Sequence, residues 1–279
     1  MILLLGVTGY IGSAFANRLT QLGLCYAGLP RDKYTDASWL DQFVASRPRE
    51  IGRSISLVIN CAAFIPKESV ALCDIHQGET MFSNAMLPAM ISQVCQRHGV
   101  PFAHISTGCL WNDGLEHSED DPPQRAFNGH CGFYVGTKVL AEEAVRANCE
   151  KHYIWRVRLP FDKVDHPRNY LSKLARFETI YDHENTICHR GDFVKACLDL
   201  WQMQADWGTY HCCNPGSVHA SSIARALWAN GIRKDPYIVI RDGPQGGCKL
   251  SVKKLTDAGV KIRHGDEALE DSIKNWKKR

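Results

Sequence analysis

The chain has 279 residues, 44% of them hydrophobic and 23% charged, enough to bury a sizeable core in one large domain or in one domain with an appendage. A net charge of +3 without a basic block argues against nucleic acid as a partner. The longest apolar runs, such as ILLLG at the start, are strand-sized, which argues against a membrane span or a signal peptide.

Ile2–Leu5 reads as a strand, Tyr10–Leu22 as a helix, Leu24–Gly28 as a second strand, Ser38–Ser46 as a helix and Ser56–Asn60 as a third strand. Helical patterns run across Ser69–Gly99, a buried strand follows over Val100–Ile105, then a helix at Phe133–Glu150 and a strand at Tyr153–Leu159. Strands alternating with helices predict an α/β fold, a Rossmann-like doubly wound parallel sheet that binds ligands beyond the carboxyl ends of its strands. From Pro160 the alternation loosens, with loops signalled at Pro167, Asn169, Asn214-Pro215-Gly216 and Asp242–Gly247. The expected organisation is a dinucleotide-binding domain over residues 1–160 and a smaller, mainly substrate-binding region over 161–279, with one or two elements returning to the sheet.

Twelve cysteines stand mostly singly in apolar segments (Cys61, Cys95, Cys197) without a C-x-x-C pair, the pattern of reduced, buried thiols in a cytoplasmic protein. Cys188-His189 and Cys212-Cys213 lack the paired spacing of zinc ligands, so no metal is expected.

Between the first strand and helix lies Gly6-Val7-Thr8-Gly9-Tyr10-Ile11-Gly12. Glycines at these three places permit a tight turn, close approach of backbone to a pyrophosphate and close packing of helix on strand, and the helix amino terminus then offers N–H groups to the phosphate. A tight turn without ligand is the plainer reading. No acid ends the second strand in Tyr26-Ala27-Gly28-Leu29-Pro30-Arg31; Arg31 suits a 2′-phosphate and favours NADP(H), unless it is simply a surface arginine.

The strand before residue 106 delivers Ser106-Thr107-Gly108-Cys109-Leu110-Trp111, and FYVGTK places Tyr134 and Lys138 four apart on one helix face. An ammonium near a phenol favours phenolate and is expected to lower its pKa, which suits a proton donor to a carbonyl oxygen. The G-x-x-G-x-x-G loop, the Ser-Thr strand end and the Tyr-x-x-x-Lys pair together resemble the extended, sugar-nucleotide branch of the short-chain dehydrogenase/reductases. STGCLW, FYVGTK, WRVRLP, PRNYLSKLARFE and CNPGSVHASSI are similar to segments of the bifunctional 3,5-epimerase/4-reductases that make rhamnose nucleotides, relatives of dTDP-4-dehydrorhamnose reductase. The likeness runs from Met1 to about residue 225.

The resemblance implies that Thr107 bonds the substrate carbonyl, that Tyr134 is the acid, and that Lys138 also holds the nicotinamide ribose. It implies a cofactor seat built from Gly6, Thr8, Gly9, Tyr10, Ile11, Gly12, Arg31, Cys61, Ala62, Ala63, Tyr134, Lys138, Leu159 and Pro160. Asn60 begins the N-x-A-A strand end, and Asn84 is a structural support. Substrate would meet Thr107, Asn169 and Lys173. Epimerase/reductases carry a cysteine two residues after the hydroxyl residue, and Cys109 stands there; the Asp-Glu pair of dehydratases is missing.

Protons at carbons 3 and 5 of a 4-keto sugar are acidified by the ketone, and a thiol of reference pKa about 8.5 can move one. Lys173 follows P-R-N where the rhamnose-type enzymes keep a lysine for the other ring face, with His166 nearer the fucose-type position. Cys109 as a packing thiol and Lys173 as a solvated helix lysine are the plainer alternatives. The implied activity is NADPH-dependent epimerisation and 4-keto reduction of a nucleoside-diphosphate 4-keto-6-deoxy sugar by a homodimer. The alternatives are a 4-ketoreductase without epimerisation and a non-catalytic NADP-binding regulatory subunit.

Overall fold

Four residues, Ile2–Leu5, are buried on both faces and form an interior strand, β1, as an all-apolar run should in a parallel sheet covered by helices. In this computed structural model, which describes residues 1–50, 54–67, 69–124, 126–129, 131–236, 239–241 and 246–278, β1 pairs in parallel with β2 (Tyr26–Leu29) and β3 (Leu57–Asn60), and β3 with β4 (Phe102–Thr107). Strands His152–Val157 and Gly208–His211 complete a six-stranded sheet in the order Gly208–His211, His152–Val157, β4, β3, β1, β2. The order reverses between β1 and β3. That switch point is where an open α/β sheet leaves a crevice at its carboxyl ends.

The helices follow the sequence with two differences. After α1 (Tyr10–Gln21) and β2 comes a single turn, α2 (Arg31–Tyr34), that the periodicity does not announce; α3 (Ala37–Glu50) follows. The stretch expected as helical over 69–99 is broken into a 3₁₀ turn at Val70–Asp74, α4 (Gln77–Met81), a π turn at Phe82–Met86 and α5 (Leu87–Arg97). Pro88 explains the π turn: with no N–H to return to Asn84, the ladder loses a bond, and Leu87 N–H reaches back five residues to the Phe82 carbonyl. Helix α6 spans Gly132–Asn148.

The chain divides into two compact units: Met1–Leu110 with Arg125–Trp155 and Asp206–Thr209, and Trp111–Gln124 with Arg156–Ala205 and Tyr210–Arg279. The first is built on Leu3, Leu5, Val58, Ile91, Phe102 and Ile154 between sheet and helices. The second packs α7 (Tyr170–Arg176), α9 (Ala220–Ala229) and α11 (Gly265–Lys274) around Phe161, Leu171, Ile223 and Leu269, with α8 (Arg190–Gln202), α10 (Lys253–Asp257) and four short two-stranded ladders. Residues 242–245 of the expected loop lie outside the described residues. Among the described residues no helix is long and apolar enough to cross a membrane, and no three His, Cys, Asp or Glu side chains are grouped to hold a metal ion.

Candidate active site

The glycine loop folds back onto the end of β3. Gly6 sits at φ +72°, and a Cβ there would lie 2.7 Å from the Ala62 amide nitrogen; a Cβ on Gly12 would overlap the Gly6 carbonyl oxygen. Neither position admits a side chain, so the backbone stays bare on its open side. That side faces a cleft of about 590 Å³, lined by Gly6, Val7, Thr8 and Gly9, by Gly28 to Arg31 and Tyr34, by Cys61, Ala62 and Ala63, and by Ser83 and Leu87. A pyrophosphate fits such a cradle, because helix α1 begins at Tyr10 and its first N–H groups have no partners within the helix. Arg31 reaches over the cleft from α2 and donates from Nη2 to Ser83 Oγ at 3.2 Å. Gly28, next to last in β2, lines the cleft beside Leu29, Pro30 and Arg31.

The proton-transfer candidates gather in the same unit. Thr107, the last residue of β4, is 4% exposed, and its Oγ1 accepts from the Cys109 N–H at 3.2 Å, folding the STGC turn around the hydroxyl. Tyr134 rises from the first turn of α6, close enough to Thr107 for the hydroxyl to act on its phenol. The expected lowering of its pKa is not found. Enclosure of the phenol pushes it above the ordinary value, and the nearby sulfurs of Cys109, Cys73 and Cys131 push the same way against the Thr107 hydroxyl. Lys138, one turn further along α6 and 2% exposed, donates to the Ile105 carbonyl at 2.7 Å and meets His104 Nε2 at 2.9 Å. Burial brings its pKa down to about 8, while Glu142 and Cys61 oppose the shift. Cys61, which lines the cleft, is also near enough to Lys138 to act on its charge. The same enclosure drives the Cys61 thiol strongly upward.

Asn84 is wholly buried in the π turn and closes two bonds on one residue, accepting from Phe64 N–H at 2.7 Å and donating to the Phe64 carbonyl at 2.9 Å. It supports the loop after Ala63.

Lys173, Asn169, His166, Leu159 and Pro160 belong to the second unit. Asn169 is wholly buried and caps α7, accepting from Leu171 N–H at 3.0 Å and donating to the carbonyls of Asp162 and Val164 at 2.7 and 2.8 Å. Both ends of its amide are engaged with protein, which makes it a support for α7 where the sequence suggested a substrate contact. Lys173 is half-buried in the last turn of that helix. His166 Nδ1 accepts from Arg168 N–H at 3.0 Å. Leu159 adopts φ +41°, a strained conformation for a branched residue, just before the short strand Pro160–Phe161.

A family model described as the RmlD substrate binding domain matches residues 1–237. The chain belongs to the RmlD family. It is 25% identical over 233 residues to an Arabidopsis thaliana bifunctional dTDP-4-dehydrorhamnose 3,5-epimerase/dTDP-4-dehydrorhamnose reductase, covering 79% of this chain and 72% of that one. Longer trifunctional relatives from the same plant match too, and the chain spans 32% to 38% of their length. The L780 UDP-rhamnose synthase of Acanthamoeba polyphaga mimivirus superposes with a TM-score of 0.84 at 16% identity over 98% of both chains. The dTDP-4-dehydrorhamnose reductase of Bacillus anthracis, solved in complex with NADP, gives 0.82 at 17% over 99% of both. This RmlD-family chain is thus a homologue of the rhamnose-type epimerase/reductases with their Rossmann-type fold.

Within this RmlD-family site the sequence reading overlooked Gly28, Tyr34, Ser83 and Leu87 along the cleft, the thiols Cys73 and Cys131 near the phenol, and His104 behind the lysine. Only His104 carried a usable signal, a polar residue inside an otherwise buried strand. The thiols are also less uniform than expected: Cys25 is exposed, and Cys61, Cys109 and Cys131 are half-buried.

Proposed function

We propose that this chain is a nicotinamide-dependent reductase of nucleoside-diphosphate 4-keto-6-deoxy sugars, that it prefers NADPH, and that it epimerises carbon 3, carbon 5 or both before reduction. The observation that carries the reading is the grouping of Thr107 at the end of β4, Tyr134 in the first turn of α6 and buried Lys138 one turn further along, in the same unit as the glycine cleft. The bound cofactor supplies hydride to the carbonyl carbon. Thr107 donates to the carbonyl oxygen, and Tyr134 delivers the proton that turns the developing alkoxide into a hydroxyl. A buried phenol of raised pKa stays protonated until that moment, as a general acid must.

For epimerisation, Cys109 as thiolate takes the proton from the carbon beside the ketone, Thr107 and Tyr134 stabilise the enolate oxygen, and a second acid returns a proton to the other face. Lys173 is the residue we assign to that step, and Asn169 fixes the helix that carries it. NADPH preference rests on Arg31 lining the cleft and on the lack of an acid in Tyr26–Arg31 at the end of β2. Exposed Leu140 on α6, with exposed Phe82 and Met86 in the π turn that contacts this helix, suits a homodimer through this helix.

The test is incubation with NADPH and a nucleoside-diphosphate 4-keto-6-deoxy sugar, followed by loss of NADPH absorbance. Sustained oxidation in the wild type that disappears in Tyr134→Phe is expected. No oxidation by the wild type with either the UDP or the dTDP sugar would refute the reading.

A further inference from the structure

Behind Lys138 runs a buried chain of polar groups for which the reaction above has no use. Asn60, His104 and Lys138 are exposed by 2% or less, and they are joined end to end: Asn60 Nδ2 to His104 Nδ1 at 3.2 Å, and His104 Nε2 to Lys138 Nζ at 2.9 Å. At the outer end the Ala62 N–H meets Asn60 Oδ1 at 3.0 Å. Ala62 lines the cofactor cleft.

Donors and acceptors along this chain can be counted. A backbone N–H only donates, so the amide atom facing Ala62 is oxygen and the one facing His104 is NH₂. His104 Nδ1 must then accept, and a neutral imidazole carries its hydrogen on Nε2, pointing at Lys138. An ammonium has no lone pair to receive it. In the observed arrangement the lysine is consequently a neutral amine, accepting from Nε2–H and donating to the Ile105 carbonyl. Charging Lys138 turns Nε2 into an acceptor, moves the imidazole hydrogen to Nδ1 and requires the Asn60 amide to rotate, which breaks its bond to Ala62.

We propose that His104 is a positioning residue that couples the charge of Lys138 to the cleft wall: one tautomer goes with neutral lysine and an Asn60–Ala62 bond, the other with charged lysine and a rotated amide. Water is kept from both partners, and the stacked ring of Phe102 covers the imidazole. The depressed values of both groups agree with a pair that holds at most one charge. The other titratable groups facing Lys138 are Cys61 after β3 and Glu142 on α6, the latter held by Ser106 and Arg146. The inference rests on the proposed reductase role only where it concerns turnover.

The first measurement needs no turnover. Ring-nitrogen correlation spectra of the ¹⁵N-histidine-labelled, ligand-free protein, taken through the titration of Lys138 and assigned with His104→Gln, should show a neutral His104 changing tautomer, with Nε2–H at high pH and Nδ1–H at low pH. A single tautomer throughout, or an imidazolium at the low end, overturns the proposal. The second uses Asn60→Asp, whose carboxylate accepts from both Ala62 N–H and Nδ1–H and so favours the charged-lysine arrangement. The alkaline limb of kcat/KM should move up by a pH unit or more, a tenfold change in proton concentration, with KM for the sugar nucleotide unchanged. A uniform loss of rate with an unmoved limb marks a merely structural role and overturns the proposal. Absence of turnover in the wild type refutes the functional reading and leaves the tautomer measurement to decide this one.

Discussion

Tyr134 and Cys109 sit within reach of one hydroxyl, Thr107, yet the two chemistries assigned to them separate cleanly by mutation. Tyr134→Phe removes only the phenol oxygen from a residue whose ring packs at the start of α6. The variant should fold and bind NADPH, while ketone reduction falls by the roughly 10²–10⁴-fold typical of a lost general acid. Calorimetry for binding and NADPH absorbance for turnover check the two halves, and wild-type turnover would hand the acid role to another residue. Cys109→Ser replaces a half-buried thiol by a far weaker base while keeping the backbone N–H that bonds Thr107. Deuterium uptake from heavy water at carbons 3 and 5, followed by NMR without NADPH, should collapse in this variant. Reduction of an already epimerised 4-keto sugar should survive. Uptake at the wild-type rate would make Cys109 a packing thiol and the protein a simple reductase. A thiol's exposure and neighbours decide between those roles, and neither can be read from its place in the chain.

At the scale of elements, the sheet and the glycine loop were legible because each follows from local rules. A four-residue apolar run such as Ile2–Leu5 suits a strand buried on both faces, and three glycines before a helix specify a backbone that tolerates no side chains. The segment 69–99 was legible only as helical. Its break into 3₁₀, α and π turns depends on Pro88 and on what Asn84 bonds twenty residues away, a contact that periodicity does not encode. Asn169 shows the same limit at the site: the resemblance implied a substrate contact, whereas its surroundings make it the cap of α7. Asn169→Ala should therefore cost about 2 kcal/mol or more, from the lost cap and from one buried and one half-buried carbonyl left without their donor. If α7 carries the second epimerisation acid, the variant should also share the exchange defect of Lys173→Met. Denaturant midpoints and the deuterium assay measure the two effects, and an unchanged midpoint would mean that water replaces the amide.

For the whole molecule, the buried ionisable groups act on pH-dependent stability in opposite directions. Thiols raised by burial, such as Cys95 and Cys188, stay protonated in the fold while the unfolded chain loses their protons above pH 9, so their contribution falls as the solution becomes alkaline. Lys138 runs the other way. Its pKa is about 8 in the folded protein against 10.5 for the free side chain, so between those values the unfolded state binds more protons and stability rises with pH. Below pH 8 both states are charged and the fold carries the full cost of the buried ammonium; above 10.5 both are neutral and the cost is gone. Comparing wild type with Lys138→Met isolates this contribution, because the thiols are common to both. From pH 7.5 to pH 10 the wild type should gain about 2–3 kcal/mol relative to the variant, near the limit set by 1.36 kcal/mol per unit of pKa difference. Urea unfolding of both proteins at half-unit pH steps gives the difference curve. A flat curve would mean that Lys138 keeps an ordinary pKa in the fold, and a falling one that a buried carboxylate, with Glu142 the nearest, holds it charged.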